Sequence, residues 1–299
     1  MSTKKILIAG SSGLIGSALV PFLQAQGINV GRLMRHAQNE HPYWDRESDT
    51  FCLNEFNHPD IVINLAGENI ANGRWSEKRK QQLLDSRIIT TEKLVKHFMI
   101  SSPAPKLWIN ASAIGFYGNR GEQELDEESP VGGDFVSQLA QQWEESSNAI
   151  KRVGTRLINL RTGLVISKDG GALAKMLPVF KFGLGGKIGN GQQIMSWIDI
   201  HDMVRAISFT IDNESLNGPV NFVSPNPISN SIFSHLLAKQ LKRPNCFPLP
   251  SFMVRLLFAE MGKELLLSST NVVPKKLIEA GFKFKYEKLE ESLKAQLGG

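Results

Sequence analysis

Three glycines spaced three residues apart, Gly10, Gly13 and Gly16, follow an apolar run, Ile6 to Ala9, and open a run of helical periodicity, Leu14 to Leu23. In that setting each has a chemical use. The first permits a tight turn, the second lets backbone N–H groups approach a pyrophosphate at a helix N-terminus, and the third allows close packing of helix on sheet. The spacing is G-x-x-G-x-x-G rather than G-x-G-x-x-G, but its place in a strand–helix–strand pattern makes dinucleotide binding the expected role, with a plain structural turn as the alternative. Ser12, between the glycines, and Leu14 and Ile15, in the first helical turn, join the same assignment. An acidic residue at the end of the second strand, Asn29 to Leu33, would hold an adenine-ribose 2′-hydroxyl. Arg32-Leu-Met34-Arg35-His36 offers none. Arg35, beside Met34 and just past the strand's end, is placed to grip a 2′-phosphate through a charge-assisted bidentate contact, so NADP (NADPH) is expected over NAD. A solvated loop arginine is the alternative.

The elements that must hold these residues follow from patterning. Short apolar runs alternate with helical stretches through the first two-thirds of the chain: Ile61 to Ala66, then Lys78 to Phe98, then Leu107 to Ala111 and Leu157 to Val165. This predicts an α/β fold, a Rossmann-type doubly wound parallel sheet, with a smaller C-terminal substrate lobe. Pro21, inside the opening helix, predicts a kink or a solvent-facing carbonyl. After about residue 166 the texture becomes Gly-rich (Gly183 to Gly191), returns to a strand near Val220 to Val223, and ends in a Pro-punctuated helical tail. The expected organisation is a dinucleotide-binding unit over 1–165 with a return segment near 199–223, and a lobe of 166–198 and 224–299. In the tail, Lys275 to Ala280 is bracketed by Pro274 and Gly281, and Leu289, Leu293 and Leu297 mark a last amphipathic helix.

Composition narrows the function classes. The 299 residues are 41% hydrophobic and 21% charged, enough for a sizeable core, which excludes disorder and fibres. The net charge of +5 is spread along the chain and suits anionic small molecules, without the clustered basic face of a nucleic-acid binder. Cys52 and Cys246 lie far apart and the six histidines show no paired spacing, so neither a disulfide framework nor a metal site is expected. The apolar stretch after Lys4 and Lys5 is too short for a signal-peptide core or a membrane span, so a cytoplasmic protein with no membrane partner is expected. Oligomeric state is not legible.

Gly10 to Gly16, Asn64-Leu-Ala-Gly67 and Ser112-Ala-Ile-Gly-Phe-Tyr117-Gly118 together resemble the extended short-chain dehydrogenase/reductase superfamily, in its nucleotide-sugar epimerase branch. More narrowly, Asn64 to Ile70, Arg74-Trp75, Ser86-Arg87, Leu160-Arg-Thr-Gly163 and Met195-Ser-Trp-Ile-Asp-Ile-His-Asp202 are similar to an atypical subgroup, whose members are described as NAD(P)-dependent sugar-nucleotide epimerases and, in some cases, carry an old cell-division-inhibitor label. Leu241-Lys-Arg-Pro244, Pro248-Leu-Pro250, Val273-Pro274 and Gly281-Phe282 resemble that subgroup's own C-terminal domain, about 249–297. The resemblance implies that Leu65, Ala66 and Gly67 pass beneath the adenosine and pyrophosphate, that Arg87 faces the cofactor, that Ala111 also contacts it, and that Val165 lines the nicotinamide side. Leu65 and Ala66 as sheet core, and Arg87 in a salt bridge, are the alternatives.

The superfamily's usual chemistry uses a Tyr and a Lys four residues on, one helical face carrying both, with a Ser on the substrate oxygen. This chain lacks the pair. With Glu144 aligned to the family's helix acid, Val136 and Ala140 stand where Tyr and Lys would, and Ala113 stands at the Ser position. Ser112 and Tyr117 are the remaining catalytic candidates: Ser112 as a hydrogen-bond donor to a carbonyl oxygen or a strand-end cap, Tyr117 as a substitute acid or a packing aromatic. Asn69, Arg74 and Trp75 are candidates for a nucleobase, sugar or diphosphate, and Trp197 and His201 for substrate, with a buried Trp and a structural His as alternatives. The acidic stretch Glu122 to Glu128 reads as a solvated loop. The expected function is an NADP-dependent oxidoreductase or epimerase acting on a nucleotide-sugar-like or other small polar carbonyl or hydroxyl compound; the rival is a catalytically silent NADP(H) sensor.

Overall fold

A computed structural model describes residues 4–36, 40–45 and 48–298; Met1 to Thr3, the beginning of the N-terminal run considered above, lie outside them. Six parallel strands form the central sheet: β1 (Lys5–Ala9), β2 (Asn29–Leu33), β3 (Ile61–Asn64), β4 (Leu107–Ala113), β5 (Arg156–Thr162) and β6 (Gly218–Phe222). Their order across the sheet is β6-β5-β4-β3-β1-β2. The chain therefore winds outward from β1 in one direction to β2 and in the other through β3 to β6. The reversal lies between β1 and β3, and a crevice opens there beyond their C-terminal ends, the usual ligand position in such sheets.

Alternating residues of each strand serve the two faces, because side chains in a strand repeat every two residues. Ile6 and Ile8 of β1 pack with Leu19 and Leu23 of α1 (Leu14–Gln24) and with Met203 and Ile207 of α6 (Ile200–Asp212). Leu7 and Ala9 pack the other way, with Trp108 of β4 and with Leu94 and Phe98 of α3 (Ile88–Met99). Both faces are covered, so the strands read as continuous apolar runs. Pro21 is exposed near the C-terminal end of α1, and the helix continues past it with Ala25 N–H bonded to the Pro21 carbonyl at 3.0 Å. An exposed proline here leaves the carbonyl it frees to water, which is the solvent-facing alternative.

The single helical stretch expected over Lys78 to Phe98 is broken. It forms α2 (Glu77–Asp85), capped by the Ser76 hydroxyl, and then α3, with a turn at Ser86 and Arg87 between them. The turn is held from outside: the Ser86 hydroxyl accepts the Glu68 N–H at 3.2 Å and donates to Leu83 O at 3.1 Å. Beyond β5 the chain adds one more sheet strand, β6, and the C-terminal lobe. α4 (Phe135–Ser146) lies before β5, α5 (Gly171–Lys181) after it, and α7 (Asn230–Gln240), α8 (Ser251–Met261), α9 (Lys275–Glu279) and α10 (Leu289–Leu297) follow β6. A separate core of Leu173, Phe180, Trp197, Phe233, Leu237 and Leu293 holds α5, α7 and α10 together. Short strand pairs tie this lobe to the sheet domain; Leu164–Ile166 runs parallel to Trp197–Asp199, and Glu124–Leu125 parallel to Asn271–Val272.

Candidate functional site

The turn from β1 to α1 is shaped by its glycines. Gly10 has φ +76°, and a Cβ there would sit 2.6 Å from the backbone carbon and oxygen of Leu65. At Gly16 it would lie 2.5 Å from Gly10 O. Real Cβ atoms do not tolerate such distances, so both positions are glycine because the protein's own backbone requires it. Gly13 differs: its φ is −75°, and a Cβ would meet only Gly10 O, at 3.4 Å. Space on the protein side does not demand a glycine at that position. Gly13 is also the N-cap of α1; no side chain caps that end and its first turn has no acidic residue. The orphan N–H groups of the first turn are thus left for an anion, favoured by the helix dipole.

A cavity of about 640 Å³ extends from this turn, lined by Gly10, Ser11 and Ser12, by Leu33 to His36 past β2, by Ala66, and by Trp44, Thr90 and Leu94. Of the predicted cofactor residues, the structure thus brings Gly10, Ser12, Met34, Arg35 and Ala66 to one wall-to-wall space. Arg35 is exposed on its rim, and the Arg32 guanidinium reaches back to the Ser11 hydroxyl at 3.3 Å. Trp44, Thr90 and Leu94 were not legible as pocket residues. Trp44 arrives on the short strand Tyr43–Asp45, which no local motif marks, whereas Thr90 and Leu94, four residues apart on α3, share a face that helical spacing could have flagged.

The Leu65-Ala66-Gly67 turn is built from below. Asn64 Oδ1 accepts the Ala66 N–H at 3.2 Å, and Asn64 Nδ2 donates to Thr91 and Asn110, both at 2.9 Å. Arg87 is buried behind Gly67: its Cζ would be 3.4 Å from a Cβ there, its guanidinium donates to Glu68 O at 2.8 Å and Leu83 O at 3.1 Å, and it stacks on Trp143. Burial, with the nearby Arg79 charge, pulls its pKa down to about 10. No carboxylate lies within ion-pair distance of it among the described residues, so neither the surface nor the interlobe salt bridge forms. Val165 is buried on Leu164–Ile166, and the following Gly170 and Gly171 lie against the Leu14 side chain, which brings that segment to the glycine turn at the head of α1.

The catalytic candidates occupy a buried polar network at the end of β4. Ser112 Oγ donates to Glu144 Oε1 at 2.7 Å, and Arg161 grips the same carboxylate through Nε at 2.8 Å and Nη2 at 3.0 Å. The Ser112 hydroxyl proton is thus directed at Glu144, within the protein, at the end of β4. Tyr117 is fully buried; its hydroxyl donates to Asn221 Oδ1 at 2.7 Å and accepts from Arg161 at 3.0 Å, and burial pushes its pKa up to about 12. This is the packing alternative, not an exposed acid. Glu127 corrects another expectation. The stretch Glu122 to Glu128 is not uniformly solvated: Glu127 is buried, accepts the Asn221 and Lys276 N–H groups, and has its pKa raised chiefly by burial.

Comparison with known proteins agrees with this geometry. The model of the NAD dependent epimerase/dehydratase family matches residues 6–223, and a domain of unknown function matches residues 249–296. The chain belongs to the NAD-dependent epimerase/dehydratase family. An epimerase family protein of Mycobacterium leprae is 41% identical over 290 residues, spanning 96% of this chain and 94% of that protein. The crystal structure of a human epimerase family protein with NADPH superposes with a TM-score of 0.90 at 31% identity, over 98% of each chain. A nucleoside-diphosphate sugar epimerase from Corynebacterium glutamicum gives 0.82 at 30% identity, over 99% of this chain and 59% of that one.

Within this epimerase-family chain, the predicted substrate residues separate. Trp197 is fully buried in the lobe core and donates to Asn226 O at 2.9 Å; His201 pairs with Asp199 at 2.8 Å at the start of α6. Both take the structural alternative. Trp75 packs edge-on against Phe135, its indole N–H bonded to Ile70 O at 2.9 Å. Arg74 donates to Leu256 O and Leu257 O at 3.3 and 3.2 Å, capping carbonyls exposed where α8 breaks at Ala259 (φ +50°). Its guanidinium is therefore taken by the C-terminal lobe rather than held for a diphosphate. Asn69 stabilises its own loop by accepting the Ala71 N–H at 2.9 Å. A second cavity, about 500 Å³, lies past the end of β4; the catalytic candidate Tyr117 is among its lining residues, with Arg120, Asp134, Lys263, Glu264 and Ser268, which the sequence did not mark. Val136 faces that end of β4, packed so closely on Gly115 that a Cβ there would collide with it.

Among the described residues no group of three or more His, Cys, Asp or Glu is arranged to hold a metal ion, and no helix is long and apolar enough to cross a membrane.

Proposed function

We propose that this family member is an NADP-dependent oxidoreductase that reduces a nucleotide-sugar-like or other small polar carbonyl compound. The observation that carries the reading is the uncapped α1 N-terminus at Gly13, beside a crevice whose rim bears Arg35 and, among the described residues that line it, no carboxylate. In this reading the first-turn N–H groups of α1 bind the pyrophosphate, Ala66 and Leu65 support the adenosine from beneath, and Arg35 takes the 2′-phosphate. When bound, NADPH supplies a hydride at the nicotinamide, which Val165 would flank. The human relative crystallised with NADPH supports this choice of coenzyme.

Reduction is favoured over epimerisation by α4. Its residues at the relay positions are Val136 and Ala140, both buried, so no phenol–ammonium pair is available to move protons in both directions. A single delivery needs one proton, which water entering the polar cavity beside Asp134 and Glu264 can supply. Ser112, its own proton held by Glu144, orients the reacting compound by accepting from a hydroxyl or amide. The test is loss of NADPH absorbance across a panel of carbonyl compounds and UDP-sugars, with the mass of any co-purified ligand. Turnover with NADPH and not NADH is expected. Tight NADPH binding with no turnover anywhere would favour the silent sensor, and no binding of either coenzyme would overturn the assignment.

A further inference from the structure

The C-terminal lobe carries a surface that coenzyme binding does not use. Phe182, Leu184, Phe247, Phe252 and Leu256 are 54–81% exposed. They belong to one patch, because the segments bearing them pair: Phe247 N–H bonds to Gly185 O at 3.3 Å, Leu249 N–H to Lys187 O at 2.9 Å, and Gly183 lies against the Pro244 ring. α8 begins at once from that pairing and adds Phe252 and Leu256.

Charge around the patch has one sign. Residues 170–198 and 215–259 contain seven Lys or Arg and no Asp or Glu. Lys239 is held by Glu290 at 2.8 Å and Lys175 is turned to the 71–72 loop, but Lys181, Lys187, Lys242, Arg243 and Arg255 are exposed, with no ion pair among the described residues. Glu260, the nearest acid along α8, is engaged by Lys80 at 2.6 Å. Large exposed aromatic and aliphatic side chains ringed by cations complement a surface that is negative outside and apolar within.

We propose that this face docks peripherally on an anionic lipid bilayer, Phe182, Phe252 and Leu256 entering the headgroup boundary while the basic residues meet lipid phosphates. A second copy of the chain fits poorly, since a two-fold contact would set cations against cations. A single-stranded nucleic acid would satisfy the charges but leave Leu184 and Leu256 uncovered. The expectation of no membrane partner rested on the lack of a spanning segment, which does not bear on a surface contact.

The experiment is co-sedimentation of the full chain with vesicles of phosphatidylcholine alone or mixed equally with phosphatidylglycerol. Binding to the mixed vesicles only, weakened by high salt, is expected. F252S/L256S and, separately, K242E/R243E should each lower that binding by roughly tenfold or more while keeping the wild-type unfolding midpoint, since these side chains are exposed. Failure to bind, equal binding to phosphatidylcholine alone, or retained binding by both stable variants overturns the proposal. So does concentration-dependent dimerisation abolished by F252S/L256S, or binding to single-stranded DNA in preference to the mixed vesicles.

Discussion

Alanine substitution at the three glycines should separate folding from coenzyme binding. Gly10→Ala forces a side chain into the left-handed region, costing about 1–2 kcal/mol. It also drives a Cβ into the Leu65 backbone, 2.6 Å away, which overpacks by about 1–3 kcal/mol more. The total of roughly 2–5 kcal/mol lowers Tm by about 3–8 °C in a chain of this size. Gly13→Ala meets neither penalty: its backbone is extended and its only neighbour is Gly10 O at 3.4 Å, so stability changes by no more than about 1 kcal/mol. The methyl group would instead stand where the pyrophosphate approaches, and NADPH affinity should fall by about 10–100-fold, or about 1.4–2.8 kcal/mol. Thermal unfolding and fluorescence titration with NADPH read the two effects separately. Wild-type NADPH affinity in a folded Gly13→Ala variant would refute the placement of the pyrophosphate, and wild-type stability in Gly10→Ala would refute the steric account of the turn.

Further tests address the rim and the buried network. Arg35→Glu should weaken NADPH by about tenfold or more and leave NADH unaffected, because the lost contact is to the 2′-phosphate alone; titration with both coenzymes checks this. Tyr117→Phe should cost about 1–3 kcal/mol of stability, by leaving Asn221 Oδ1 without its donor, and should not alter NADPH affinity. Glu144→Gln breaks a buried bidentate pair with Arg161 and should destabilise by about 3–5 kcal/mol in denaturant unfolding. Glu264 accepts the Val136 N–H, yet burial first, and then the Asp134 and Glu260 charges, raise its pKa above the usual carboxylate range. Its stabilising contribution is therefore complete below the unfolded-state pKa of about 4.3 and is lost as pH rises through the raised value. Relative to Glu264→Gln, the wild type should lose stability as pH rises from that range toward neutrality; a flat difference across parallel melts would contradict this.

Local rules carried the strands, the glycine turn and the last helix, since each depends on residues close in sequence: apolar runs for β1 to β5, glycine spacing for the turn, leucines at four-residue intervals for Leu289–Leu297. Long-range packing decided what single side chains do. Arg74, Trp75 and Trp197 have the types expected of ligand contacts, but α8, Phe135 and the lobe core claim them from distant parts of the chain. Glu127 looked solvated among its acidic neighbours until β6 and α9 closed over it.

By itself the sequence determined that this chain forms a parallel sheet with a glycine turn at the head of α1, and that the Tyr and Lys of the usual relay are missing, because periodicity and residue identity are local properties. Only the tertiary structure decided that Gly10 and Gly16 serve the protein's own backbone while Gly13 leaves room, that the Ser112 proton belongs to Glu144, and that Tyr117 is enclosed. Those outcomes depend on which atoms meet across hundreds of residues, and a hydroxyl's direction or a glycine's necessity is set by the partner it meets there.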